Sequence, residues 1–406
     1  MSADFTITVR RKAEEYAIYK LRSNPFPASP VPEESPRIFA DQENAKRQIL
    51  ESISNSVYSE DRRPSHLLIV GGYGNGKSHA LKVIRTSILD QLYPENIAVA
   101  GYTSARGWSL LTIYQGFMHD LGMEFFEELK LKILQLTSQT QKENYSAIRA
   151  LMTSLFLNEM QADDKIAAQK SLQKFLFSTI SDSDLVSALM NMFYSEEGLR
   201  IGYEWICGKW IDLFTLRKCG ITSRLDSDEK ALAVIVNFRK LLESIGFRML
   251  FICIDEVEKI TLFPAEQRVN FLDSIRHIMD WNPTGLTLIL SCSPEALELI
   301  AKYEPLERIS LRVFLEELSE ENLSTYVEAY INSYRTEKFE DPLFPFSKEI
   351  LVKMFRLLEE RKRANIRNFL KICHYSIEEG LTMKKERIDD EVVDRLGQRT
   401  DIYLGI

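Results

Sequence analysis

Five short runs of apolar or β-branched residues interrupt a chain that is otherwise apolar at helical spacing. His66 to Val70, Asn96 to Thr103, Arg248 to Ile254, Leu286 to Leu290 and Arg308 to Phe314 read as strands, the first ending on glycines. Runs without alternation are those of strands covered on both faces, the habit of parallel sheets flanked by helices. Helices fit between them. Asp41 would cap a helix running to about Tyr58 with Ala45, Ile49, Leu50 and Ile53 on one face, Ser78 to Leu92 follows the first strand, and Glu266 to Trp281 separates the third from the fourth. From Ala105 to about Ser227 only helical periodicity appears, in Leu110 to Leu136, Tyr145 to Leu157, Ile166 to Ile180 and Leu199 to Leu216. Beyond Leu315 the pattern is helical again, with starts near Ser319, Ser347, Ile366 and Asp389. Five prolines between Asn24 and Arg37 (Pro25, Pro27, Pro30, Pro32, Pro36) forbid a regular element there and set off an N-terminal piece, about Arg10 to Arg22, that reads as a short helix.

The chain has 406 residues, enough for two to three domains at about 150 residues each or for one elaborated domain. Apolar residues at 45% and charged residues at 27% exclude disordered, collagenous and coiled-coil chains. A net charge of −8 creates no general attraction for nucleic acid or anionic membrane. The insertion at 104–227 carries 13 basic and 15 acidic residues and the region 311–406 carries 16 and 19, so neither is a basic domain. No apolar run approaches the roughly 20 residues that span a bilayer, and the first ten residues lack the apolar stretch of a secretory signal. A cytoplasmic protein without membrane contact is expected. The five cysteines include no CxxC pair and the five histidines no metal-ligand spacing, which argues against a disulfide framework and a zinc site. Cys253 and Cys292 fall within strand-like runs, where a thiol packs as a small hydrophobe.

Chemistry enters at the end of the first strand. Gly71-Gly72-Tyr73-Gly74-Asn75-Gly76-Lys77-Ser78 satisfies G-x-x-x-x-G-K-[ST], between an expected strand and an expected helix. Its glycines let successive backbone N–H groups turn inward on phosphate oxygens, and the helix that follows adds positive potential. Lys77 would neutralise the β- and γ-phosphates and Ser78 would hold Mg²⁺, with His79 next in the chain. A second motif, Ile252-Cys253-Ile254-Asp255-Glu256, sets two acids at the carboxyl end of an apolar strand, where open α/β sheets bind ligands. Asp255 is expected to hold the Mg²⁺ shell through water, and Glu256 to orient and deprotonate the attacking water.

These motifs resemble those of AAA+ ATPases, with 71–78 as Walker A and Ile254-Asp255-Glu256 as Walker B. The strings GGYGNGKSHAL and IDEVEKI are similar to ATP-binding proteins of BREX-type phage-defence systems, and Phe346 to Leu351 with Asn365 to Leu370 is similar to the lid of origin-recognition-type initiator ATPases. The resemblance implies an α/β P-loop NTPase fold with a parallel β-sheet, a large α-helical insertion and a C-terminal α-helical lid. It divides the chain into an arm and proline-rich linker (1–36), a core (37–103 with 228–310), the insertion (104–227) and the lid (311–406). Hydrolysis of ATP follows from it, ATP rather than GTP in the absence of an N-K-x-D motif. By position, Ser293 matches sensor 1, with Ser291 its rival; Arg367 matches sensor 2; Arg308, with Arg312 its rival, matches the arginine finger that one subunit offers the next. The resemblance therefore implies a homo-oligomer whose ATP cycle assembles or remodels a DNA-associated complex, and leaves open a nucleotide-gated scaffold with slow turnover. Arg361, Lys362 and Arg363 beside Arg367 and Lys371 offer a DNA contact in the assembled state, and the insertion, with Trp108, Trp205 and Trp210, offers a surface for a protein partner.

Overall fold

The computed structural model describes residues 13–28, 36–105, 107, 109–140, 144–302, 308–309 and 311–398. Pro30, Pro32, Trp108 and residues 305–307 therefore lie outside the described residues. A 3-10 helix at Ala13–Tyr19 precedes α1 (Glu43–Tyr58), β1 (Leu67–Val70), α2 (Lys77–Gln91) and β2 (Ala98–Ser104). Helices α3 (Leu110–Thr140, kinked at Gly122), α4 (Tyr145–Ser154), α5 (Ala162–Thr179), α6 (Ser183–Asn191), α7 (Glu196–Ile206), α8 (Leu213–Lys218) and α9 (Asp228–Ser244) come next. Then follow β3 (Met249–Asp255), α10 (Ala265–Trp281), β4 (Leu286–Cys292), α11 (Pro294–Ala301) and β5 (Leu311–Phe314). Helices α12 (Leu323–Tyr334), α13 (Lys348–Glu360), α14 (Ile366–Thr382) and α15 (Asp390–Gly397) end the described chain.

The strands form one sheet in the order β2-β3-β4-β1-β5. Pairings β2 with β3, β3 with β4 and β4 with β1 are parallel, in registers that set Ser104 against Asp255 and Val70 against Cys292. Every residue of β1, β3 and β4 is buried, as their unbroken apolar sequences require. This is the α/β architecture expected of a P-loop NTPase, with helices inserted between β2 and β3 and a helical C-terminal region.

The chain divides into two compact units, one drawn from 1–46, 71–83 and 314–406 and the other from 47–70 and 84–313. In the second, one apolar core runs from the strands into the inserted helices, joining Leu250, Ile252 and Leu288 to Phe117, Phe126 and Phe238. In the first, the C-terminal helices close around Phe346, Leu351, Met354 and Phe369, and Tyr16, Tyr19, Leu21 and Phe26 of the N-terminal piece belong to the same core. Tyr16 Oη donates to Glu378 at 2.8 Å and Asn24 Nδ2 to the His374 carbonyl at 3.0 Å, so this arm is docked rather than solvated.

Three local expectations need correction. Leu50 is 55% exposed, because the buried face of α1 continues instead through Ser52 and Ser56, whose hydroxyls bond to Ser65 and stand in for an apolar stripe. Asp41 has a left-handed backbone, with φ of 50°, and α1 starts after it, the Lys46 N–H bonding to the Gln42 carbonyl. The helix expected over 199–216 is two helices, divided around Gly208, whose φ is 65°.

Candidate functional site

The phosphate loop sits in the first unit together with the C-terminal helices. Gly74 and Gly76 adopt φ of 81° and 88°, in the region that side chains disfavour. At Gly74 a Cβ would also fall 2.6 Å from Asn365 Cγ, so only glycine admits both the turn and its neighbour. Lys77 is 8% exposed, and its Nζ donates to the Gly71 and Gly72 carbonyls at 2.9 and 3.2 Å. The ammonium is thus held inside the loop. Helix α2 begins here with no acidic residue in its first turn, which leaves the positive end of its dipole uncompensated. His79 Nε2 lies 2.5 Å from the Ile38 carbonyl, to which its N–H donates, fixing the helix rather than facing the loop. Ser78 follows Lys77 in the first turn of α2, where its hydroxyl is a hard oxygen donor at the loop's end.

Asn365 and Arg367 join this loop. Asn365 caps α14, accepting from the Asn368 N–H at 2.9 Å, and the Arg367 N–H donates to the Gly74 carbonyl at 3.1 Å. The Arg367 guanidinium lies 4.8 Å from the centre of the Tyr73 ring, itself 77% exposed. The residue expected to read the γ-phosphate is therefore beside the phosphate loop within one unit.

The acid pair sits in the second unit, at the end of β3. Asp255 is 2% exposed, and three donors converge on it: Tyr102 Oη at 2.7 Å on one oxygen, the Ser291 hydroxyl on the other, and the Glu256 N–H at 2.9 Å. Tyr102 reaches it because the parallel register sets Ser104 beside Asp255 and Tyr102 two residues back on the same face. Its own N–H donates to Asp120 Oδ2 at 2.7 Å, and Arg85 bonds that carboxylate at 2.6 Å, so the edge strand is pinned at this residue. Burial first, and then the Asp255 charge, push the Tyr102 hydroxyl far above its ordinary range, which keeps it a donor. Among the described residues no three of His, Cys, Asp and Glu cluster as a metal cage. The Asp255 carboxylate and, in the other unit, the Ser78 hydroxyl are each hard oxygens, the donor type that suits magnesium.

Glu256 carries a left-handed backbone, φ 60° and ψ 33°, a strained state for a side chain. Its Oε2 pairs with Lys259 Nζ at 2.6 Å. Ser291, within β4, contacts Asp255 and takes the Glu256 N–H at 3.4 Å, whereas Ser293 caps α11 by accepting from the Ala296 N–H at 3.3 Å ahead of Pro294. Of the two serines it is Ser291 that the structure brings to the acid pair. Arg308 forms an ion pair with Asp280 of α10, and Arg312 lies exposed on β5. Tyr102 and Lys259 were missed from the sequence. A tyrosine on a neighbouring strand leaves no local trace, although Lys259, three residues from Glu256 in IDEVEKI, had the spacing of a helical ion pair.

Residues 202–331, the stretch that carries Asp255, Glu256, Lys259 and Ser291, match the family model described as BREX system ATP-binding protein BrxC/D. No curated protein matches the chain. Among solved structures it is similar to the Aeropyrum pernix ORC1 protein in complex with DNA, at 11% identity and a TM-score of 0.47 over 92% of this chain and 68% of that one. It is also similar to the Aeropyrum pernix ORC2 protein in its ADP form, at 11% and 0.48 over 91% and 71%, and in its ADPNP-ADP complexes, at 12% and 0.45 over 90% and 69%. The phosphate loop, the acid pair and the family match together make this a chain that resembles the ATP-binding proteins of BREX systems.

Proposed function

We propose that the protein binds ATP with Mg²⁺ at residues 71–79, hydrolyses it, and uses the cycle to assemble or remodel a DNA-associated complex. The observation that carries this reading is the loop itself, with Lys77 buried within it and the uncompensated start of α2 behind it. In the sequence each motif follows directly on an apolar strand run, the place where open α/β sheets bind ligands, which supports assigning both to one nucleotide. The match to an ATP-binding family supports the choice of substrate.

In this reading the loop amides and Lys77 take the phosphate oxygens. Ser78 and Asp255 would hold Mg²⁺, which when bound would supply positive charge to offset that of the phosphates. Tyr102 and Ser291 keep the Asp255 carboxylate in one orientation. Glu256 turns away from Lys259, takes a proton from the attacking water and aims it at the γ-phosphorus. Arg367 leaves the Tyr73 ring for the γ-phosphate, and Arg308 exchanges Asp280 for the nucleotide of a neighbouring copy. Ser293 retains the expected supporting role only through the start of α11.

A second reading, a nucleotide-gated scaffold with slow turnover, draws support from the ion pair that holds Glu256 on Lys259. Turnover measured with and without DNA separates the two. Stimulation of tenfold or more favours remodelling, whereas ATP-dependent assembly without stimulation favours the scaffold. Lys77→Ala should abolish ATP binding, and Glu256→Gln should bind without hydrolysing; ATP binding by Lys77→Ala at wild-type affinity would overturn the reading. In Arg308→Ala, normal assembly with lost turnover fits the finger, and unchanged turnover rejects it.

A further inference from the structure

The segment between α7 and α9 displays aromatic rings that the core does not use. Trp210 is 75% exposed and Phe214 69%, with Leu213 beside them at 39%. Leaving an indole and a phenyl ring in water forfeits the stabilisation that burial of such side chains brings, about 25 cal/mol for each Å². Each ring is backed by a cation. Arg224 Cζ lies 4.7 Å from the centre of the Trp210 ring, and Lys218 Nζ lies 4.2 Å from that of Phe214.

The display is built on a fixed frame. Asp184, 8% exposed, accepts from the Thr222 and Ser223 N–H groups at 2.7 and 3.1 Å and from both hydroxyls at 3.0 and 2.8 Å. Trp205 Nε1 donates to the Ser223 carbonyl at 2.8 Å, and Asn191 Nδ2 to that of Cys219 at 2.7 Å. Arg224 Nε donates to the Ile211 carbonyl at 2.8 Å, which ties the guanidinium behind the indole to the strip that bears it.

Charge decides what fits. The insertion as a whole is slightly acidic, yet from 207 to 224 it holds Lys209, Arg217, Lys218 and Arg224 against Asp212 alone. Asp212 caps α8, accepting from the Thr215 N–H at 2.9 Å, and its charge is outnumbered four to one by these cations. Two exposed ring faces, each beside a cation, in a chain of net charge −8, suit a ligand that is polyanionic and has flat apolar faces of its own. A single nucleic-acid strand has both, whereas a duplex hides its base faces. We propose that Trp210 and Phe214, with Lys209, Arg217, Lys218 and Arg224, form a site for single-stranded nucleic acid.

The site stands apart from nucleotide hydrolysis, and its test needs no ATP. Fluorescence anisotropy of a labelled oligo-dT strand with the full chain at 50 mM and 200 mM salt should show binding that weakens steeply with salt. Trp210→Ala with Phe214→Ala should weaken it at least tenfold, an abasic strand of the same length should bind as weakly as the double variant, and Lys77→Ala should bind like wild type. Three results would overturn the proposal: no binding at 50 mM salt, equal binding by the double variant, or equal binding of the abasic strand. A fourth would as well, namely a change in the solution mass of the nucleic-acid-free protein in the double variant, which would assign the rings to a protein interface. Loss of ATP binding in Lys77→Ala bears only on the phosphate loop, so the two readings fail separately.

Discussion

Replacing Tyr102 by Phe removes one oxygen and leaves the ring. The Asp255 carboxylate then loses its 2.7 Å donor on Oδ2, at a position where only 2% of the residue is exposed and water does not replace it. A hydrogen bond to a charged group is worth about 1.5–3 kcal/mol, and a buried acceptor left without its donor falls at the upper end of that range. A domain of this size loses about 2–4 °C of melting temperature for each kcal/mol, so a fall of roughly 3 to 12 °C is expected. The chain carries its own probe. Trp108, Trp205, Trp210 and Trp281 all fall between 84 and 313, so tryptophan fluorescence during unfolding reports the unit that holds Asp255. Tyr102→Phe should also weaken Mg²⁺-dependent ATP affinity, since the freed carboxylate swings between orientations, while leaving metal-free affinity alone. The wild-type contribution has a pH signature: a hydroxyl whose folded pKa is raised stabilises fully below the ordinary tyrosine value near 10 and loses that contribution as pH rises above it. A loss below about 0.5 kcal/mol with unchanged Mg²⁺ dependence would refute the clamp, since that is the range of a surface substitution.

Lys259→Met releases Glu256 from a pair about one-third exposed on each side, worth up to about 1 kcal/mol, so basal ATP turnover should rise by as much as fivefold; a fall would show that Lys259 assists the reaction instead. Gly74→Ala places a methyl group 2.6 Å from Asn365 at a φ of 81°, combining left-handed strain of about 1–2 kcal/mol with a disturbed cap of about 1 kcal/mol, and should speed hydrogen exchange in the first turn of 366–382. Unchanged exchange there would show that loop and helix are not coupled. His66 accepts the Leu288 N–H at 3.1 Å, and burial first and the Arg308 charge second hold it down at about 4. Its folded pKa lies below its unfolded value, so its contribution is complete above about pH 6.5 and lost as pH falls toward 4. His66→Gln should flatten the urea midpoint between those pH values, and a slope equal to wild type would refute the assignment.

Most of the sheet was legible, because a strand buried on both faces has no polar positions to blur its apolar run, as Leu67–Val70 and Met249–Asp255 show. Helix starts were legible where a short polar side chain precedes the apolar face, and Ser347, Asn365 and Asp389 all accept the expected cap bonds. Helices α6 and α9 went unread. The first is only nine residues long, too short a stretch to stand out among longer helical runs, and the second adjoins the apolar run of β3. At the site, the loop announces itself by contiguous residues, whereas the surroundings of Asp255 are assembled across strands. The serine pair illustrates the difference: Ser-Pro-Glu at 293–295 writes a helix cap into the local sequence, and the contact of Ser291 with Asp255 exists only once β3 and β4 pair.

Helix α14 is 17 residues long, about 25 Å at 1.5 Å per residue, and its second residue is fastened to Gly74. A rod clamped at one end amplifies rotation, so a tilt of ten degrees at the clamp displaces the far end by roughly 4 Å. Tyr16 and Asn24 grip that rod from its midpoint onward, at Glu378 and His374. A polyphosphate that reshapes the backbone at residue 74 would thus be felt along this helix as far as Tyr16 and Asn24.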